Sequence, residues 1–131
     1  IKQLNLDKIR AFDFISKMDL AYALCDLVVA RAGASTVSEL CIVEKPSILV
    51  PLPTAAEDHQ TKNCLSLVNR NAALLVKDQD ANQILVDEAI KLLKNEAKRN
   101  ELAKNIAPLA RPEAAATIAK EIFSIIEQKS K

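Results

Sequence analysis

Two short apolar runs constrain the fold of this chain more than any other feature of its sequence. They are Leu27-Val28-Val29-Ala30 and Ser47-Ile48-Leu49-Val50, and neither shows the polar and apolar alternation expected of a half-exposed strand. Such runs are typical of strands that are covered on both faces in a parallel sheet. Because Pro51 and Pro53 follow the second run and disfavour a helix there, we predict two buried parallel strands.

Helical patterns separate these strands and continue after them. Residues 9–15 alternate apolar and polar and include Phe12 and Phe14, which predicts a further strand, and residues 72–76 predict a fourth. Asn71 would end the preceding helix in left-handed geometry, as Asn often does in place of Gly. Because strands alternate with helices, we predict an α/β fold: a Rossmann-like parallel sheet of about four strands with helices on both faces and a helical C-terminal tail. The predicted helices cover residues 18–24, 36–44 and 60–70, and three more follow from residue 79 onward.

Composition limits the class of protein. The chain has 131 residues and a formal net charge of +1, which fits one domain and lacks the excess of Lys and Arg that nucleic-acid binding needs. With 50% hydrophobic and 27% charged residues it can bury a core, so disorder is excluded. No apolar run approaches the roughly 18 residues of a membrane span, and the start does not resemble a signal peptide. We expect a soluble, cytoplasmic protein that binds no nucleic acid.

The three cysteines indicate neither a metal site nor a disulfide framework. Cys25, Cys41 and Cys64 lie in apolar stretches at spacings that match neither a zinc site nor a redox Cys-x-x-Cys pair. Free cysteine behaves as a small buried hydrophobic residue. We therefore expect three reduced core cysteines, and no metal or cofactor.

The turn after the first apolar run is a candidate ligand site. In open parallel sheets, ligands bind beyond the carboxyl ends of the strands. After Arg31, the residues Ala32 to Ser35 have little side-chain bulk around Gly33, which would let backbone N–H groups at the start of a helix approach a phosphate. Glu39 would then accept hydrogen bonds from ribose hydroxyls. The alternative is a capping box with Thr36 as N-cap and Glu39 as its reciprocal partner, and spacing alone leaves both open.

The loop after the second apolar run would open on the same edge of the sheet. His59, Gln60 and Asn63 offer donors and acceptors suited to sugar hydroxyls. In the alternative interpretation, Asp58 is a helix N-cap and Asn63 a surface residue. His59 could serve as a general base, but the sequence shows no acidic partner for it.

Three motifs in these loops resemble a known family. They are CDLVVARAGASTVSEL (25–40, with Cys25 in place of the usual Ala), KPSILVPLP (45–53) and EDHQTKN (57–63). In this order they resemble the C-terminal donor domain of the MurG family, the UDP-N-acetylglucosamine:lipid I N-acetylglucosaminyltransferases of peptidoglycan and cell-wall synthesis. The likeness runs from about Phe12 to the C-terminus, and it implies half of a two-domain GT-B fold.

The resemblance also implies a UDP-GlcNAc site. Ile15 would offer main-chain groups to uracil, and Met18 would line that pocket. The diphosphate would face the start of the helix, Glu39 would bind the ribose, and the second loop would recognise the GlcNAc hydroxyls. The residues assigned to diphosphate and GlcNAc are Gly33, Ala34, Ser35 and Thr36, and His59, Gln60 and Asn63.

The chain departs from the family pattern at two helix ends and in the part of the protein that it covers. Members of the family commonly carry Gly where this chain has Lys45 and Asn71, both at helix ends. The N-terminal acceptor domain, which binds lipid I and carries the general base, is missing, so residues 1–131 are expected to be a partial UDP-sugar-binding domain without turnover of its own. The full-length protein would act at the cytoplasmic face of the inner membrane. We hypothesise that residues 1–8 are weakly ordered, and that the chain self-associates or derives from proteolysis of a longer chain.

Three alternatives stay open on the sequence. One is a UDP-GlcNAc 2-epimerase-like enzyme, which would need catalytic acids that the loops do not show. The second is the donor subunit of a split transferase. The third is a non-catalytic α/β interaction module whose helical tail, about residues 79–128, binds a partner.

Overall fold

The two apolar runs form neighbouring strands in the structure, a computed structural model that describes residues 9–53 and 58–129, with side chains as far as Ile126. The strands β1 (Val28–Ala30), β2 (Ser47–Leu49) and β3 (Leu74–Leu75) lie side by side in that order and are parallel. The helices of the described residues are α1 (Met18–Leu24), α2 (Ala34–Val43), α3 (His59–Val68), α4 (Asp78–Lys94), α5 (Glu96–Ile106), a 3₁₀ helix (Ala107–Leu109) and α6 (Ala114–Lys129).

Helices cover both faces of the sheet, as predicted. Side chains alternate across a strand, so neighbouring residues of β2 enter different cores. Leu49 packs with buried residues of α1, α2 and α3, whereas Ile48 packs with Leu92 of α4 and Leu102 of α5. The predicted α/β class is therefore confirmed, with three strands among the described residues.

The predicted strand at 9–15 is wrong. Residues 9–17 contain neither helix nor strand, and the rings of Phe12 and Phe14 are 66% and 83% exposed. A strand needs the backbone of a neighbour to complete its hydrogen bonds. Within the described residues the sheet ends at β1, so this segment has no strand beside it. The alternating pattern alone could not reveal that.

The helix predictions are confirmed in their positions but not in every boundary. The helix predicted at 36–44 begins two residues earlier, at Ala34, and its N-cap is Gly33. Asp58 is the N-cap residue of α3, but it has φ 57° and its side chain makes no capping hydrogen bond. Asn71 has φ 56°, which confirms its left-handed geometry.

The left-handed residue at the end of α2 is Glu44, with φ 54°, and not Lys45. Pro46 explains the difference, because a residue that precedes proline is restricted to extended conformations. Between the end of α2 at Val43 and the start of β2 at Ser47, the chain therefore reverses direction at Glu44.

The cysteines are free, as predicted. Cys41 and Cys64 are buried, and burial raises the pKa of both thiols, that of Cys64 to about 11. Cys25 is only half-buried and donates to the carbonyl of Tyr22 over 3.4 Å. Two of the three are thus core residues.

Residues 1–8, for which weak order is predicted, lie outside the described residues, as does the part of the polar loop at 54–57. Every helix within the described ranges is too short or too polar to cross a bilayer.

Truncating Leu102 to Ala should lower the free energy of unfolding by about 2–5 kcal/mol, since Leu102 is fully buried and its loss leaves a cavity between α5 and the sheet. Leu93→Ala is the matched control, because Leu93 also lies on a helix but is 46% exposed. Urea denaturation of both variants measures the difference. Equal losses would contradict the burial of α5 against the sheet.

Replacing Glu44 with Gly should stabilise the fold by on the order of 1 kcal/mol, because Gly adopts left-handed geometry without the steric cost that a side chain incurs. Lys45→Gly should be neutral or destabilising, since Lys45 precedes proline and its Nζ donates to the Cys25 carbonyl over 2.9 Å. Thermal unfolding of the two variants checks this. A larger gain in stability for Lys45→Gly than for Glu44→Gly would mean that the chain reverses at Lys45 and not at Glu44.

Candidate functional site

The start of α2 presents backbone donors that no side chain of the described residues caps. Gly33 is the N-cap, in extended geometry with φ −63° and ψ 151°, and its carbonyl accepts from the N–H of Val37 over 3.0 Å. The preceding N–H groups of the helix have no partner within the helix itself. Those donors belong to Ala34, Ser35 and Thr36. The first turn of α2 can therefore bind an anion.

The capping-box interpretation of this segment is wrong. Thr36 lies inside α2 and is not its N-cap, because the helix begins at Ala34. Glu39 is exposed, and its Oε2 accepts a hydrogen bond from the hydroxyl of Tyr22 over 2.9 Å. Glu39 thus lies one helical turn beyond the N-terminal donors, and its carboxylate is hydrogen-bonded to Tyr22 of α1.

Tyr22 contacts the candidate site through Glu39, and the sequence patterns assigned it no role. Its side chain is 8% exposed, and it packs in the same core as Ala32 and Leu40. Burial first, and then the hydrogen bond from its hydroxyl to Glu39, raises the pKa of Tyr22 to about 12. The sequence signal that could have indicated this contact is a tyrosine in a short apolar helix, because a buried tyrosine hydroxyl usually has a hydrogen-bond partner.

The second loop approaches the same turn through α3. The Nδ2 of Asn63 donates to the carbonyl of Ala32 over 3.1 Å, and the Oε1 of Gln60 accepts from the N–H of Leu52 over 3.0 Å. Asn63 is half-buried, so the interpretation as a plain surface residue is wrong. Each amide side chain has one further polar group that can bind a ligand. His59, the first residue of α3, is exposed beside them.

Ile15 and Met18 lie away from the sheet edge along the chain, at the approach to α1. Ile15 precedes α1 and Met18 begins it, and their side chains are 42% and 39% exposed. The expected strand end at Ile15 is absent. The helix that carries Met18 nevertheless reaches the site, because its Tyr22 contacts Glu39.

Arg31 connects the carboxyl ends of the three strands. It follows β1, forms an ion pair with Asp78 at the start of α4, and donates to the carbonyl of Val50 over 3.3 Å. The ion pair is partly exposed and adds little stability. These contacts join segments that follow the three strands, at the edge of the sheet on which both candidate loops open. No sequence pattern predicted a role for Arg31.

Comparison with known proteins identifies the family. Over residues 1–122 the chain matches the glycosyltransferase family 28 C-terminal domain. It is 49% identical over its whole length to a protein of Cytophaga hutchinsonii, and 52% identical over 88% of its length to one of Bacteroides fragilis. Both relatives are named UDP-N-acetylglucosamine:N-acetylmuramyl-(pentapeptide) pyrophosphoryl-undecaprenol N-acetylglucosamine transferase.

A solved structure agrees with these relatives. The crystal structure of Acinetobacter baumannii MurG matches 88% of this chain with a TM-score of 0.80 at 30% identity. The chain spans 36% and 30% of the lengths of the two relatives and 33% of that structure. The resemblance found in the three loop motifs is confirmed. The chain belongs to glycosyltransferase family 28, whose C-terminal domain it carries over residues 1–122.

Proposed function

We propose that this chain is the UDP-GlcNAc-binding part of an inverting transferase that adds GlcNAc to lipid I, giving lipid II in peptidoglycan synthesis. The observation that carries the proposal is the uncapped start of α2 with the exposed carboxylate of Glu39 one turn beyond it. The transferase names of the relatives favour this function over an epimerase or an interaction module. The whole enzyme's activity belongs to a protein about three times as long as this chain.

The diphosphate would bind at Gly33 and the first turn of α2. A Cβ at position 33 would lie 3.8 Å from the Oγ1 of Thr36, an ordinary contact, so the packing of the described residues leaves room for a side chain. Its φ of −63° is also accessible to other residues. The absence of a side chain is therefore best explained by close approach of a ligand to the backbone.

The nucleoside and the sugar would extend from the diphosphate in two directions. Glu39 would accept hydrogen bonds from the ribose hydroxyls, with uracil toward Ile15 and Met18. His59, Gln60 and Asn63 would face the GlcNAc hydroxyls. The bond from Asn63 to Ala32 supports this arrangement, because it holds α3 against the turn that would bind the diphosphate.

The chemistry required of this half is charge stabilisation. The lipid I hydroxyl attacks the anomeric carbon, the bond from that carbon to the diphosphate breaks, and UDP leaves with the negative charge. Backbone donors that are already in place stabilise that charge, and losing one such donor typically costs about 10²–10³ in rate. The base that deprotonates the acceptor would lie in the other domain, so this chain alone should not turn over substrate.

The acceptor in the relatives' names indicates the remaining partners of the complete enzyme. The relatives' names include an undecaprenol, a long hydrocarbon alcohol that resides in membranes. We therefore place the complete enzyme at the cytoplasmic face of the membrane as a peripheral protein, with lipid I bound by the other domain. Self-association of this chain stays a prediction.

Calorimetric titration with UDP-GlcNAc tests the proposed function. The chain should bind it saturably, and Glu39→Gln should weaken binding about 10- to 100-fold, the usual effect of losing a charged hydrogen-bond acceptor. Glu44→Gln is the matched control, because it removes the same charge from the other end of α2. The transferase proposal fails if the unchanged chain shows no saturable binding.

Replacing Gly33 with Ser should separate stability from binding. A serine at this N-cap would bond to the N–H groups of α2 and raise the free energy of unfolding by up to about 1 kcal/mol. It would also occupy the donors that the diphosphate needs, so affinity for UDP should fall. Lys77→Ser is the matched control, since Lys77 is the N-cap of α4 in the same extended geometry and its side chain makes no cap bond.

Thermal unfolding and UDP titration of both serine variants measure the two effects. Lys77→Ser should gain stability and keep its affinity for UDP. Unchanged UDP affinity in Gly33→Ser would mean that the start of α2 does not bind the diphosphate.

A further inference from the structure

One hydrogen bond links the candidate ribose ligand to a different helix. The hydroxyl of Tyr22, on α1, donates to Oε2 of Glu39, on α2, over 2.9 Å. The phenol ring is 8% exposed and packs against the core, whereas Glu39 is exposed. A flexible surface carboxylate is thus attached to a rigid, buried group.

This bond restricts the orientation of the carboxylate without saturating it. An ionised carboxyl group accepts about four hydrogen bonds, so Tyr22 leaves Glu39 the capacity to accept two more from a vicinal diol. An unattached glutamate loses rotamer freedom when it binds a ligand, which lowers affinity. Holding the side chain in advance removes part of that cost.

We propose that Tyr22 is a positioning residue that holds the Glu39 carboxylate in the orientation that accepts hydrogen bonds from the ribose diol. The inference rests on the proposed function, because it assigns the way in which one contact of the UDP site is built. Tyr22 itself does not touch the nucleotide. Its contribution to affinity is therefore expressed only through Glu39 and only when the ribose hydroxyls are present.

The bond can be observed directly in solution. Tyr22 is the only tyrosine of the chain, and there is no tryptophan, so the near-ultraviolet absorbance of tyrosinate reports this residue alone. Since burial and the bond to Glu39 raise its pKa from 10.0 to about 12, its phenol stays a donor throughout the neutral range. Glu39→Gln should move the midpoint of the absorbance titration back toward 10.0, and Glu44→Gln should not.

The same shift has a consequence for stability. The folded pKa lies above the unfolded one, so the contribution of Tyr22 to stability is complete below about pH 10 and is lost as the pH rises through about 12. Binding experiments near neutral pH therefore measure Tyr22 as a hydrogen-bond donor.

Tyr22→Phe tests the positioning role, because it removes the hydroxyl and keeps the ring that packs against the core. Titrations should compare UDP with 2′,3′-dideoxyuridine diphosphate, which lacks both ribose hydroxyls. We expect Tyr22→Phe to weaken UDP binding about 5- to 10-fold and to leave binding of the dideoxy analogue within about 2-fold. In a Glu39→Gln background, Tyr22→Phe should have no further effect on UDP binding.

The possible outcomes are distinguishable. Equal weakening for UDP and the dideoxy analogue would show a purely structural role and overturn the positioning role alone, as would unchanged binding of both. Absence of UDP binding by the unchanged chain would overturn the proposed function and this inference together. Thermal unfolding of Tyr22→Phe confirms that the compared proteins are folded.

Discussion

The backbone N–H groups in the first turn of α2 are the groups around which the rest of this site is organised. A helix start with Gly at the N-cap position is less stable, by roughly a few tenths of a kcal/mol, than one capped by Ser, Asn or Asp. Its unpaired donors and the helix dipole also attract negative charge. Gly33 leaves these donors uncapped and adds no side-chain bulk above them. A bound diphosphate would supply the missing cap, so binding would recover the stability that the free chain forgoes.

The surrounding bonds hold that helix start in a fixed place. Asn63 connects α3 to the turn, Arg31 connects the ends of the strands, and Tyr22 connects α1 to Glu39. Each bond joins segments distant in sequence, and two of the three have a backbone carbonyl among their acceptors. Donors that are fixed before the ligand arrives need no reorganisation as charge develops, which is the condition under which they accelerate a reaction.

Local sequence patterns predicted the structural features that depend on residues close together in the sequence. The β-branched runs became β1 and β2, the α-helices were found, and Asn71 adopted the left-handed geometry that its residue type favours. Tyr22 and Glu39 are 17 residues apart, and Arg31 and Asp78 are 47 apart, so no spacing rule joins them. The strand prediction for residues 9–15 failed for the same reason, because alternating apolar and polar residues do not show whether another strand lies beside the segment.

The two ends of α2 show that departures from local rules have different causes. At its C-terminal end Glu44 is left-handed, because Pro46 disfavours helical geometry at Lys45 and the chain must reverse within three residues to enter β2. This strain follows from the topology alone, and a glycine would relieve it. At its N-terminal end no described residue prevents a capping side chain at position 33, since a Cβ there meets only an ordinary contact. The proposed diphosphate at this turn would account for a missing cap that the described residues do not require, whereas the strain at Glu44 needs no ligand to account for it.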